Sequence, residues 1–118
     1  MADFLQHLQI HNLLDPHITI ADHEWSELRP GVMVSYLYQE NDQGISAALL
    51  HYAPQARVPR HQHLGYEHIF ILDGSQQDEN GTYAKGSLLI HKQGTQHEVY
   101  SEQGCLALAV WQKPVQFV

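Results

Sequence analysis

An all-β fold, a barrel or sandwich in a single domain, is what this sequence predicts. Three observations lead there. Short runs that are alternating or wholly apolar recur along the chain, turn-forming residues separate them, and 118 residues with 43% hydrophobic content suit one core.

The first segment departs from this pattern. Phe4, Leu5, Leu8, Leu13 and Leu14 would line one face of a short helix, whereas Ile10 and the β-leaning Ile18-Thr19-Ile20 would suit an edge strand. Both readings stand, and residues 1–24 are taken as an extension ahead of a domain over 25–118. Strand-like runs then follow at 32–38, 45–52, 66–72, 87–91, 98–100 and 105–111, with 17–20 as a further short one. Between them fall turns such as Arg29-Pro30-Gly31, Asp73-Gly74, Gln93-Gly94 and Gln103-Gly104. Asn80-Gly81 is the strongest hairpin signal, because both residues accept positive φ in a type I′ turn. The sequence shows no repeat, low-complexity stretch or linker.

Charge and composition exclude several functions. A net charge of −7 with six scattered Lys and Arg argues against a nucleic-acid partner, which needs a basic patch. No apolar run approaches the ~20 residues of a membrane span, so no membrane association is expected. The N-terminal residues lack the charged, apolar and cleavage regions of a secretory leader. The single cysteine, Cys105, lies in the run CLALAV and reads as a buried, inert thiol in a reducing compartment, the cytoplasm. Ten histidines outnumber all lysines and arginines together, and they are spread along the chain.

The histidines are densest in R-H-Q-H-L-G-Y-E-H-I-F, residues 60–70. Side chains alternate across a strand, so His61 and His63 share one face. If the chain bends at Leu64-Gly65 and resumes as a strand, Glu67 joins Ile69 and Ile71 inside, while His68 and Phe70 face outward. His97 follows the turn at Gly94 and would reach the same cluster from a neighbouring hairpin. A lone H-x-H is more often a surface pair or a hydrogen-bonded core pair. Here it is joined to a glutamate of matching parity and a second histidine-bearing hairpin, and three imidazoles with a carboxylate suit one divalent transition metal: Zn, Fe, Mn or Ni.

His61-x-His63-x3-Glu67-x6-Gly74, followed by Gly86-x5-Lys92-Gln93-Gly94-x2-His97, resembles the two motifs of the cupins. These are small jelly-roll barrels that hold a metal through three histidines and a glutamate. Carried over by motif position, the ligands are His61, His63, Glu67 and His97. Gln55 stands where the broad pattern has glycine, Lys92 where it has proline, and Ser101 where it has asparagine. Trp25, Arg29-Pro30-Gly31-Val32, Pro59, Gly65, Asp78-Glu79-x-Gly81-x-Tyr83-x-x-Gly86 and Gly104-Cys105 narrow the resemblance to the ChrR-type cupin-like branch, over about residues 25–111. That branch is similar to acetylacetone-cleaving iron dioxygenases. Its regulatory members carry a separate N-terminal zinc domain that holds a sigma factor. With one cysteine and few residues before Trp25, sigma-factor binding is not expected here.

The resemblance implies either an Fe(II)-dependent, dioxygenase-like enzyme on a small metal-chelating substrate or a non-catalytic metal-bound sensor or ligand-binding module. A three-His, one-Glu shell leaves two octahedral positions for small molecules. Pocket and supporting positions would be His51, Tyr66, Ile69, Ile71 and Trp111. Tyr52, Glu98, Tyr100 and His91 are also considered, His91 reading more simply as structural or exposed. Leu49 and His51 share parity and are expected to face the interior, or His51 to be a satisfied core histidine. The apolar tail Trp111, Val115, Phe117 and Val118 suggests a homodimer, or a tail folded back over its own barrel.

Overall fold

A computed structural model describes residues 8–118. Phe4 and Leu5, part of the helical face considered above, lie outside the described residues. The described residues form one short helix, α1 (Pro16–Ala21), and ten strands: β1 (Ser26–Arg29), β2 (Val32–Gln39), β3 (Ser46–Tyr52), β4 (Ala56–His63), β5 (Glu67–Asp78), β6 (Gly81–Ala84), β7 (Leu88–His91), β8 (Gln96–Ser101), β9 (Cys105–Trp111) and β10 (Val115–Phe117). Their order is β1-β2-β3-β9-β5-β8-β4-β10, with β6 and β7 pairing on β5.

One long strand makes this a curled sheet. The first part of β5 pairs with β9 and β7, whereas its end pairs with β6 and touches β8 at Gln77 opposite Tyr100. The bend falls at Gly74, whose φ is +73° and whose Cα faces the Gly104 carbonyl where any Cβ would collide. Only glycine fits both the dihedral and the contact. Inside the curl lies the main core, including Val32, Leu50, Tyr52, Ile69, Ile71, Val99 and Ala107.

A second, smaller core lies on the outer face, where Leu49, Leu72 and Leu106 are covered by Leu13, Ile20 and Trp25 of the N-terminal segment. This corrects the sequence reading in two places. The run 17–20 is helical: Asp15 caps it by accepting from the amides of His17 and Ile18, and Pro16 occupies the first turn. The cap and proline outweigh the weak β preference of Ile-Thr-Ile. Leu49 and His51 face this outer layer, His51 lying 5.9 Å from the Trp25 ring, while Leu50 and Tyr52 face inward. Because β3 is apolar on both faces, its parity is not readable from sequence.

The β5–β6 hairpin is present, but Asp78 pairs with Gly81, so Glu79-Asn80 is the loop. Gly81 has φ +157° and Asn80 does not have positive φ, so the turn is not the expected type I′ at Asn80-Gly81. The C-terminal tail folds back, β10 pairing with β4.

Candidate metal centre

Each histidine reaches the interior for a local reason. In β4, Ala56 and Val58 face inward, and the register slips between Val58 and His61, at Pro59. This bulge moves the inward face to odd positions, so His61 and His63 are buried. On β5 the alternation is regular: Glu67, Ile69 and Ile71 are buried and His68 is exposed. His97 stands directly opposite His61 across the β4–β8 pairing, and His91 opposite Glu67 across β5–β7. The imidazole rings converge, His61 lying 4.6 Å and His63 4.8 Å from His97, centroid to centroid.

The outer nitrogens are all engaged. His61 Nδ1 donates to the Pro59 carbonyl at 2.9 Å, and His97 Nδ1 to Asp78 Oδ2 at 3.0 Å. His63 Nδ1 lies 3.0 Å from Thr95 Oγ1, whose own proton goes to the Lys92 carbonyl at 2.6 Å. Thr95 must therefore accept from His63. These partners place the proton of each neutral ring on Nδ1 and leave a lone pair on Nε2. The consequence is sharpest at His63. Its Nε2 is buried without a hydrogen-bond partner and lies 3.1 Å from Glu67 Oε1. A nitrogen lone pair facing a carboxylate oxygen in a dry site repels unless a cation lies between them.

Glu67 is held from its other sides. Trp111 Nε1 donates to Oε2 at 2.6 Å and His91 Nδ1 to Oε1 at 2.9 Å. Burial alone would raise its pKa, but His63 when its Nε2 carries a proton, and His91, reverse this and hold the carboxyl well below the usual range. Burial lowers the pKa of His61 and of His97, partly offset by the Pro59 carbonyl and by Asp78 respectively. Both rings are thus neutral near pH 7, the form that ligates. Desolvation also raises the pKa of Asp78, yet His97, the Asn80 amide and the Tyr83 hydroxyl together lower it.

Residues 15–116 match the family described as the ChrR Cupin-like domain. The chain belongs to this family. Anti-sigma-E factor ChrR from Cereibacter sphaeroides is 31% identical over 101 residues, which are 83% of this chain and 46% of ChrR. The chain thus spans less than half the length of that relative. The structure of Rhodobacter sphaeroides SigE in complex with the anti-sigma ChrR superposes with a TM-score of 0.69 at 27% identity, covering 81% of this chain and 53% of that one. An acetylacetone dioxygenase from Acinetobacter johnsonii gives a TM-score of 0.75 at 13% identity over 96% of this chain and 77% of its own, a likeness of fold.

In this cupin-like chain the tightest group of ligand atoms comes from His63, Glu67, His91 and His97, all within 4.8 Å of one another. His61 is not one of this group, although its ring meets His63 at 5.2 Å and His97 at 4.6 Å. From sequence, His91 is only one of several supporting candidates and reads more simply as structural or exposed. Its alternation with Leu89 was visible, but the register that places it opposite Glu67 was not. Beside the cluster lies a cavity of about 210 Å³ lined by His61, Glu67, His97, Ile69, Trp111 and Tyr52, among others. Ile71 belongs to the core beneath. Two expected positions lie elsewhere: His51 is on the outer face, and Tyr66 is 44% exposed at the turn before β5.

Proposed function

We propose that the chain is a metal-binding cupin in which one divalent first-row ion, Zn, Fe, Mn or Ni, is held by His61, His63, Glu67 and His97. The single observation that carries this reading is the buried, unpartnered Nε2 of His63 facing the Glu67 carboxylate. His61 is taken as the fourth ligand from its place in the cupin motif and from its ring's approach to His63 and His97, while His91, whose Nδ1 proton goes to Glu67, is read as a group that orients the carboxylate. His91 and Trp111 then act together as clamps on the two carboxylate oxygens.

Bound Fe(II) would supply Lewis acidity and the capacity to react with O₂. The chain's own residues would supply the rest: Ile69 and Trp111 wall a largely apolar chamber, and Glu67 and the histidines fix the ion at its edge. A small metal-chelating substrate fits this description, and a dioxygenase-like activity is the reading adopted. A non-catalytic ligand-binding or sensing module is the second reading, favoured by the 31% identity to the anti-sigma factor. O₂ uptake by the Fe(II)-loaded chain with pentane-2,4-dione and related enols tests the two. Turnover supports the enzyme. Tight binding by the Zn form without any O₂ consumption replaces it with the module.

The proposal also includes the cytoplasm, which suits the buried thiol of Cys105. Among the described residues no helix is long and apolar enough to cross a membrane. It further includes a homodimer. Because β10 already covers β4, a second copy would cover the outer face of β7, where Leu88 and Ile90 are 59% and 57% exposed.

A further inference from the structure

The polar groups of the cavity are unequally matched. Its carboxylate, Glu67, already receives protons from Trp111 and His91. Three of its donors, in contrast, lack acceptors. Arg29 lines the cavity and, among the described residues, forms no ion pair; its guanidinium rests 5.0 Å over the Phe117 ring. Tyr52 is 5% exposed, lines the same space, and its hydroxyl has no hydrogen-bond partner among the described residues. Gln76 is 5% exposed and its Nε2 is buried without a partner, the Cys105 thiol being its polar neighbour. Arg29 on β1 and Tyr52 on β3 both stand opposite Val32 of β2, so the two donors lie in one row across the sheet and line the same cavity.

We infer that the cavity takes a small monocarboxylic acid, its carboxylate met by the Arg29 guanidinium and the Tyr52 hydroxyl, and its apolar body set among Val32, Leu50, Val58, Ile69 and Val99. Unpaired donors on the wall of a largely apolar pocket, Tyr52 buried and Arg29 partly buried at its mouth, call for a ligand that brings acceptors, and a guanidinium matches a carboxylate in both charge and geometry. At about 210 Å³ the cavity lies below the ~300–1,000 Å³ of drug-sized sites, so the acid is short. Leu28 and Phe117, 46% and 51% exposed, line the space beside Arg29 and mark the side open to solvent. This inference rests on the proposed function for its cavity and not for its metal.

Calorimetric titration of the full chain with pentanoate and with pentanamide, in metal-loaded and chelator-treated forms, tests it. Pentanoate is expected to bind at least ~10-fold more tightly than the amide in both forms. Arg29→Gln should abolish the difference, Arg29→Lys should retain part of it, and Tyr52→Phe should weaken pentanoate by about 5-fold. Should Arg29→Gln not fold, Arg29→Lys and Tyr52→Phe carry the comparison. Equal affinity for acid and amide, no pentanoate binding, or a preference that survives Arg29→Gln overturns the inference. So does a preference that vanishes with the metal, since the metal and not Arg29 would then recognise the acid. Metal content measured on the same samples separates the two proposals: a chain without metal that still prefers the acid retains this one and loses the metal centre.

Discussion

Replacing Asp78 by asparagine isolates the hydrogen bond that sets the tautomer of His97. In the native chain Asp78 Oδ2 accepts the Nδ1 proton at 3.0 Å, with both side chains nearly buried, at 6% and 4% exposure. Its other oxygen accepts from the Tyr83 hydroxyl at 3.0 Å and the Asn80 amide at 2.8 Å. In Asp78→Asn those two donors keep the new side chain's amide oxygen on their side, so its NH₂ group meets His97. Two donors then face each other. His97 relieves the conflict by moving its proton to Nε2, the nitrogen assigned to the metal. The loss of a charge-assisted bond is worth about 1.5–3 kcal/mol, and changes to the partners of histidine ligands typically lower metal affinity 10–100-fold, roughly the same energy. Competition titration of the metal-free chain against a chromophoric chelator reads this directly. Tyr83→Phe is the control, because it removes a bond to Asp78 without altering what His97 meets; it should cost less than about 5-fold. An Asp78→Asn chain that binds metal within about 2-fold of wild type refutes the tautomer reasoning.

Three further outcomes follow from the same structure. The folded-state pKa values of His61, His97 and Glu67 are all depressed, so the unfolded chain takes up protons first as pH falls. Stability of the metal-free chain should therefore be full above about pH 6.5 and decline below it, and a melting temperature unchanged between about pH 7.5 and 5 counts against this. Gln55 holds φ +68° where the broad cupin pattern has glycine, with its amide bonded to the Ser101 carbonyl at 2.7 Å. Gln55→Gly keeps that bond and relieves the dihedral, and should stabilise the chain by about 0.5–1 kcal/mol, a few degrees of melting temperature; a lower one contradicts it. Light scattering at micromolar concentration should give twice the 13.5 kDa chain mass, and Leu88→Glu should give the monomer.

Where residues alternate cleanly, the sequence could be read directly. Strand β5 puts Glu67, Ile69 and Ile71 inside and His68 outside. Legibility failed where the pattern carried no parity or where a distant register decided. Strand β3 is apolar on both faces, so nothing in 45–52 reveals that Tyr52 and not His51 faces the cavity. The bulge at Pro59 resets the parity of β4, and a reading that begins at His61 escapes that error only because it starts after the bulge. The role of His91 depends on the pairing of β7 with β5, set across a hairpin whose register the sequence does not display. The α1 start, by contrast, was available in Asp15-Pro16, a cap and first-turn pair that a count of β-branched residues overlooks.

Metal content of the chain expressed without added metal is the most direct measurement, with wild type beside His61→Ala, His63→Ala and His68→Ala. About one equivalent of a first-row divalent ion is predicted for wild type and His68→Ala, and most of it should be lost in His61→Ala and His63→Ala. A wild-type chain without bound metal, or a His63→Ala chain that keeps a full equivalent, contradicts the metal centre.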